Sequence, residues 1–385
     1  MLLPLLAPVV VLAQSGQNAT ATVNRCTTGM DSVTPLVSAK RRRPRRLSSK
    51  SPNRTLTAGS LFAGIGGFCD GFTSAGFKTL WANERDAGAC DFYRTNFPQV
   101  RLIEKDIRDL SVVKDKLALV DVLHAGFPCQ SFSQAGERKG FEDPRGQLFF
   151  EIIRLLKEFG DRRPAVVVLE NAPFIRIGEG GAWFQTILGE LQRAGYWFRD
   201  TNAHEVDLWD VTPSPQQRRR LFMIAWSTAS FLSGRFALPQ PPVTSKDCLS
   251  KHIAFNRTAG DAYYLPHDNR YHDMLSGVRG DRPSDKRIYQ LRKYFVREKR
   301  IGVCPTLTAN MGQGGHNVPF VWDKGGLRRL TEKECLSLQG FARTYRIPKH
   351  ITSKRIYEYI GNSVAPPVAK FLATALEKRI RKEQI

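Results

Sequence analysis

The chain is 385 residues long and carries 58 Lys+Arg against 36 Asp+Glu, a formal charge of +22. That length supports two or more hydrophobic cores. Its seven cysteines, at 26, 69, 90, 129, 248, 304 and 335, form no C-x-x-C pair, which argues for a reducing compartment and against a disulfide framework or a zinc cluster.

Residues 1–54 stand apart, with 9 basic and 1 acidic side chains. Residues 1–13 are apolar but lack a basic leader and are too short to span a bilayer. A Ser/Thr/Asn-rich stretch follows, then Lys40-Arg41-Arg42-Arg43-Pro44-Arg45-Arg46, which fits a nuclear address, a nucleic-acid tail or a plain solvated charge run. The segment reads as a disordered basic extension, with Met30 as an alternative start. No later stretch reaches transmembrane length.

From Leu56 strand and helix signals alternate. Residues 55–61 read as a strand that ends in Phe62-Ala63-Gly64-Ile65-Gly66-Gly67-Phe68. A second, 78–82, ends at Asn83-Glu84, and a third, 100–104, at Lys105-Asp106-Ile107. The fourth, 119–123, leads into Gly126-Phe127-Pro128-Cys129-Gln130-Ser131-Phe132-Ser133, and the fifth, 165–169, into Glu170-Asn171-Ala172-Pro173. Residues 146–159 and 182–194 have helical apolar spacing. This alternation predicts an α/β fold, a doubly wound sheet whose strand ends gather in one crevice.

Two of those strand ends invite chemistry. Gly64, Gly66 and Gly67 let backbone approach a ligand at a helix N-terminus, and Glu84 lies 20 residues beyond Gly64, where an acid can accept both hydroxyls of a ribose. The loop lacks the spacing and lysine of a phosphate-binding loop, so a nucleoside ligand need carry no phosphate. Cys129 sits on a turn stiffened by Pro128, a fit place for a nucleophilic thiol, although a lone cysteine is as often a small buried hydrophobe.

Beyond Pro239-Gln240-Pro241-Pro242, a linker by composition, the alternation stops until about residue 326. Residues 55–215 hold 18 basic and 22 acidic side chains, whereas residues 216–330 hold 20 and 8. Positive charge confined to one segment points to a polyanion such as nucleic acid. Residues 287–300 are dense in Lys and Arg with Tyr289, Tyr294 and Phe295 interleaved, and residues 306–315 form a glycine-rich loop. Thr331-x-x-Glu334 is a capping box that opens a helix to Gln339, with Gly340 as terminator.

Seven blocks in order resemble those of the DNA (cytosine-5)-methyltransferases of the bacterial restriction-modification or Dcm-like type. They are residues 62–68, residues 126–133, residues 136–150 (GERKGFEDPRGQLFF), Glu170-Asn171, Gln216-Gln217-Arg218-Arg219-Arg220, residues 329–341, and Gly361-Asn362-Ser363-Val364. The resemblance implies a Rossmann-like methyltransferase domain over residues 55–240, completed by 345–385, with a smaller, irregular target-recognition domain at 241–326 and a connecting helix region at 327–344. It implies S-adenosyl-L-methionine in the glycine-loop crevice and no metal. Phe62 would pack on the adenine, Glu84 would bind the ribose, and Asp106 with Ile107 would hold the adenine edge. Gly64, Gly66, Gly67, Pro128, Leu148, Asn362 and Val364 would complete that pocket. Cys129 resembles the family nucleophile, Glu170 the acid that holds the cytosine ring, and Arg218 and Arg220 its positively charged neighbours. Gln130, Ser133, Lys293, Arg297, Arg300, Thr306, Gly312, Gly314 and Gly315 would meet DNA.

The expected activity is transfer of a methyl group to carbon 5 of a flipped-out cytosine in a specific duplex sequence, through a covalent Cys129 adduct. The same chemistry on a structured RNA is the alternative within the family. A catalytically silent DNA-binding homologue would carry a damaged nucleophile or cofactor loop, and neither is visible. Expected too are a monomer in the cytoplasm at the nucleoid (in the nucleus of a eukaryotic host), no membrane, and a restriction endonuclease sharing the site.

Overall fold

Short apolar runs between glycine turns become strands, and the longer amphipathic runs between them become helices. The computed structural model describes residues 54–132, 139–229, 234–242, 245–281, 286–292, 294–312 and 316–384. In chain order come β1 (Thr57–Leu61), α1 (Gly67–Ser74), β2 (Lys78–Glu84), α2 (Ala87–Asn96), β3 (Arg101–Glu104) and β4 (Val122–Gly126). Then follow α3 (Leu148–Glu158), β5 (Val166–Asn171), α4 (Ala182–Arg193), β6 (Tyr196–Trp197), β7 (Ala203–Asp207), α5 (Leu208–Val211) and β8 (Arg219–Ser227). Among the described residues these build an eight-stranded sheet in the order β3-β2-β1-β4-β5-β8-β6, with β7 also paired to β8. The first five are parallel; β8 runs antiparallel to β5, β6 and β7. The fold is therefore a doubly wound, Rossmann-like α/β domain, and strand order reverses between β1 and β4, where such sheets leave a crevice.

The central strands are buried on both faces, so alternate residues feed two cores. Leu123, Ala125, Val167 and Leu169 pack with Ile152 and Leu156 of α3 and Ile187 and Leu191 of α4. Val122, Val166 and Val168 pack with Phe68 and Phe72 of α1 on the opposite face. Leu372 and Leu376 of the last helix close that second core. His124 points into it with both ring nitrogens lacking a hydrogen-bond partner among the described residues, its ring 4.8 Å from Phe68 and 4.7 Å from Phe72.

Several strands depart from their expected bounds: β1 starts at Thr57 rather than 55, and β2 runs on past 82 through Asn83 and Glu84, so Glu84 lies on the strand. β4 starts at Val122 rather than 119 and runs through the fully buried His124 to Gly126. β5 extends through Glu170 and Asn171, so Glu170 lies on the strand rather than after it. Arg54, which the sequence groups with the extension, forks onto both oxygens of Asp121 at 2.6 Å, and the Thr57 amide donates to the same carboxylate at 2.8 Å.

The segment without alternation holds α6 (His272–Arg279), then β9 (Tyr289–Leu291), β10 (Val296–Glu298), β11 (Pro319–Asp323) and β12 (Gly326–Arg329). These strands form a separate antiparallel sheet in the order β10-β9-β11-β12. Strands of three to five residues with charged neighbours carry too little period to be read beforehand. The capping box forms as expected: Thr331 Oγ1 accepts from the Glu334 amide and Glu334 accepts from the Thr331 amide, opening α7 (Glu332–Gln339), which ends at the left-handed Gly340. Helices α8 (Ser353–Asn362) and α9 (Pro366–Gln384) return to the large sheet.

Candidate active site

The ends of β1, β2, β4 and β5 and the loop after β3 open into one cavity of about 400 Å³ at the strand-order reversal. One half is built on the glycine loop. Phe62 has φ 52°, a left-handed backbone that costs a non-glycine residue of order 1–3 kcal/mol and marks a functional turn. Gly64 is also left-handed, and an added Cβ there would meet nothing within 4 Å, so the backbone itself walls the cavity. At Gly66 a Cβ would strike the Phe97 ring, and at Gly67 the Val364 carbonyl at 2.1 Å, which is why α1 can press against the chain returning from α8. Glu84 ties the loop down: Oε2 accepts from the Gly64 amide at 2.9 Å, and Oε1 from the amides of Arg85 and Asp86 at 2.8 and 3.0 Å.

Asp106 accepts from the Arg108 amide at 3.0 Å and pairs with the guanidinium groups of Arg108 and Arg85 at 2.7 and 2.9 Å. Those bonds, the one from the Arg108 side chain foremost, hold its carboxyl below the usual range. Ile107, Pro128, Leu148, Asn362 and Val364 line the same cavity.

The other half holds Cys129, Gln130, Glu170 and Arg220. Cys129 is half-buried on a turn fixed by its own carbonyl, which accepts from the Phe132 amide at 3.0 Å. Burial pushes its thiol up, while the nearby Arg220 charge opposes that shift. Glu170 Oε1 lies 3.2 Å from Arg220 Nε, and burial raises this carboxyl too, against Arg220 and Arg218. Burial thus works against the charged form of both acidic groups, and the Arg220 charge, with Arg218 behind it, works for it. The Gln130 side-chain carbonyl is buried with no partner among the described residues.

Arg218 and Arg220 part company. Arg220 lines the cavity; Arg218 is 2% exposed, does not line it, and donates to the carbonyls of Leu307, Gly361 and Ser363 at 2.8, 2.8 and 2.7 Å. Strand alternation sends neighbours two apart to the same face, but Arg218 precedes β8 and escapes that rule.

Of the residues expected to meet DNA, Arg297 and Arg300 are exposed. Thr306 gives its hydroxyl to the Gln217 carbonyl at 2.7 Å, and Gly312 sits where a Cβ would strike the Tyr357 ring at 2.5 Å. Both residues of this loop thus have protein neighbours. Ser133, Lys293, Gly314 and Gly315 lie outside the described residues.

Several supporting residues were given no role beforehand. Asn171 donates to the Phe127 carbonyl at 3.2 Å and so joins the β5 end to the Cys129 turn. Asp86 caps α2 through the Ala89 amide and receives both Arg355 and Tyr359 of α8. Tyr345 donates to the Ile65 carbonyl in the glycine loop. The i, i+4 spacing of Arg355 and Tyr359 was the only advance signal, and their partner lies far away in sequence.

A fold and a cavity of this kind define a nucleoside-binding transferase. The family described as C-5 cytosine-specific DNA methylase matches residues 56–378, and the chain belongs to that family. The type II methyltransferase M.Bsp6I of Bacillus sp. (strain RFL6) is 38% identical over 84% of this chain and 99% of its own length. The type II methyltransferase M.HhaI of Haemophilus parahaemolyticus is 30% identical over 81% of this chain and 91% of its own. Among solved structures, a mutant of Spodoptera frugiperda DNMT2 superposes with a TM-score of 0.63 at 20% identity, covering 84% of this chain and 99% of that one, a likeness of fold. The protein is a DNA (cytosine-5-)-methyltransferase that uses S-adenosyl-L-methionine as methyl donor.

Proposed function

We propose that the two halves of the cavity divide the reaction, the glycine-loop half holding S-adenosylmethionine and the Cys129 half holding a cytosine flipped out of a specific duplex sequence. What carries this reading is the meeting of Cys129, a buried Glu170 and the Arg220 cation in one cavity with the open backbone at Gly64. The residues suit the cofactor: a ring at Phe62, acids at Glu84 and Asp106, and a bare backbone wall. Phe62 would pack on the adenine and Asp106 with Ile107 would hold its edge, Glu84 has one lone pair left on Oε2 for a ribose hydroxyl, and Asn362 and Val364 close the pocket. When bound, the cofactor supplies an electrophilic methyl group.

Carbon 5 of cytosine is a poor nucleophile. Cys129 gives up its proton, and Sγ bonds to carbon 6, making carbon 5 enamine-like. Arg220 favours the thiolate against the burial that opposes it. Glu170, whose carboxyl burial shifts toward holding a proton, would in its protonated form donate toward ring nitrogen 3 and neutralise the charge that the addition places on the ring. After methylation solvent water takes the carbon 5 proton, the C–H electron pair re-forms the C5–C6 double bond as the C6–S bond breaks to return the thiolate, and ring nitrogen 3 gives its proton back to Glu170. Arg218 acts as a positioning residue, holding Gly361 and Ser363 on either side of Asn362.

Residues 241–326 are assigned to target reading, which the +12 charge of residues 216–330 supports. A monomer working in the cytoplasm on chromosomal DNA, paired with an endonuclease of the same specificity, fits the type II relatives. No helix among the described residues is long and apolar enough to cross a membrane.

Duplex DNA carrying 5-fluorocytosine at the methylated site tests the nucleophile, because fluorine cannot leave as the proton does. The wild type should stay covalently attached to it in the presence of S-adenosylmethionine, and Cys129→Ser should not. Methylation of ordinary DNA at full rate by Cys129→Ser would overturn the assignment.

A further inference from the structure

Three exposed large hydrophobic side chains fall between residues 294 and 301: Tyr294 is 78% exposed, Phe295 53% and Ile301 68%. Single apolar residues on a surface are ordinary, but two adjacent rings at a hairpin turn are not. The turn joins β9 to β10, and the charge around it is positive. Arg297 and Arg300 are exposed, and the acid of β10, Glu298, pairs with Arg287. An apolar tip among cations suits an anionic partner with apolar edges.

The base of the hairpin is tied to the catalytic strand. Lys299 Nζ donates to Gln217 Oε1 at 3.0 Å, the Gln217 amide donates to the Cys304 carbonyl at 2.9 Å, and the Cys304 amide to Pro215 at 2.8 Å. Gln217 stands three residues before Arg220 of the cavity wall. From Lys299 back to Phe295 is at most about 13 Å of extended chain, close to the ~12 Å width of a DNA major groove. The hairpin that carries both rings is thus joined at its base to the chain that leads into Arg220 of the cavity wall.

We infer that Tyr294 and Phe295 enter a groove of the bound duplex and make apolar contact with sugars and with thymine methyl groups. This rests on the reading of residues 241–326 as the DNA-reading segment and adds a contact that its cations cannot make. Phosphate contacts release counterions and depend on salt; apolar contacts do not.

The test compares wild type, Tyr294→Ala/Phe295→Ala and Arg297→Ala/Arg300→Ala on a labelled duplex bearing the site found by methylation sequencing, with S-adenosylhomocysteine present. The ring variant should bind about tenfold more weakly, from the loss of two large apolar side chains, with an unchanged salt slope and unchanged cofactor affinity. The arginine variant should flatten the slope by about 0.9 per lost phosphate contact. Deoxyuridine in place of thymidine should weaken the wild type and not the ring variant. Should the double variant lose cofactor affinity, Tyr294→Ser and Phe295→Ser singly carry the same comparison. Wild-type affinity in the ring variant, a loss confined to the salt slope, or equal sensitivity of both proteins to deoxyuridine overturns the inference. A wild type that binds and methylates no duplex refutes the DNA reading beneath it instead.

Discussion

Replacing Arg218 by methionine removes one side chain that fastens three parts of the molecule. Its guanidinium donates to Leu307 on the return from the recognition segment, to Gly361 in α8 and to Ser363 just past that helix. Methionine keeps much of the stem's volume but leaves the Leu307 and Gly361 carbonyls without that donor, each costing about 1–3 kcal/mol when buried, while the Ser363 carbonyl keeps the Gln339 amide at 2.9 Å. Without relaxation the loss is about 2–6 kcal/mol by that count. Two effects reduce it. Burial disfavours the guanidinium charge, and Arg220 adds to that, so the variant is relieved of a strained cation. Water can also reach part of the opened site. A net loss of ~2–4 kcal/mol follows, and for a chain of this length it lowers the melting temperature by roughly 3–5 °C. Urea unfolding followed by tryptophan fluorescence measures the first part, and titration with S-adenosylhomocysteine the second. Cofactor affinity should fall because Gly361 and Ser363 carry Asn362 between them. Unchanged stability with turnover alone abolished would show that Arg218 acts on the substrate itself. Unchanged stability, affinity and turnover would show that the three bonds do nothing.

Glu170→Gln should cut turnover by ~10²-fold or more, since a fixed amide cannot supply a proton, while alkylation of Cys129 by iodoacetamide should begin at lower pH because the Glu170 charge opposes the thiolate; unchanged kinetics would refute both roles. His124, driven down to about 3 by burial, is neutral in the fold. The unfolded chain takes up that proton below about pH 6.5, so stability present above this pH drains away as pH falls toward 3, by about 2 kcal/mol at pH 5. His124→Leu should therefore show a flatter loss of stability between pH 6.5 and 5 in urea titrations, and an identical pH slope would contradict it. Deleting residues 1–53 while keeping Arg54 on Asp121 should leave turnover and melting temperature unchanged; an insoluble product would place part of the core in that segment.

The sequence is most legible where local pattern and chemistry coincide. The runs before Phe62, Glu84 and Asp106 are short, apolar and closed by turn residues, so the strand ends and their functional groups could be placed together. The capping box at Thr331 is local and was readable to the residue. What escaped depends on partners distant in the chain. Arg218 and Arg220 look alike in Gln-Gln-Arg-Arg-Arg, and only the carbonyls of Leu307, Gly361 and Ser363 tell them apart. The glycine-rich loop gave no sign that Thr306 bonds to the Gln217 carbonyl or that Gly312 lies against Tyr357 of α8. His124 lengthened β4 against expectation because a histidine between two phenylalanines of α1 can be buried neutral, which no period reveals.

The electrostatics explain why a thiol can wait at this site without reacting. Burial disfavours negative charge on both Cys129 and Glu170, and each is opposed chiefly by the same Arg220. One guanidinium can support one anion well, and the two acids compete for it. If Glu170 ionises, its charge raises the thiol further and the nucleophile stays protonated. If Glu170 keeps its proton, Arg220 is left to the thiolate, and Glu170 is at the same time in the state that can donate to a cytosine ring. The protonation state that activates the nucleophile is thus the one that assists the electrophile. In the proposed reaction a base entering the cavity meets two groups set chiefly by Arg220, with Arg218 acting in the same direction, so a change at any one of Cys129, Glu170 and Arg220 shifts the balance at the others.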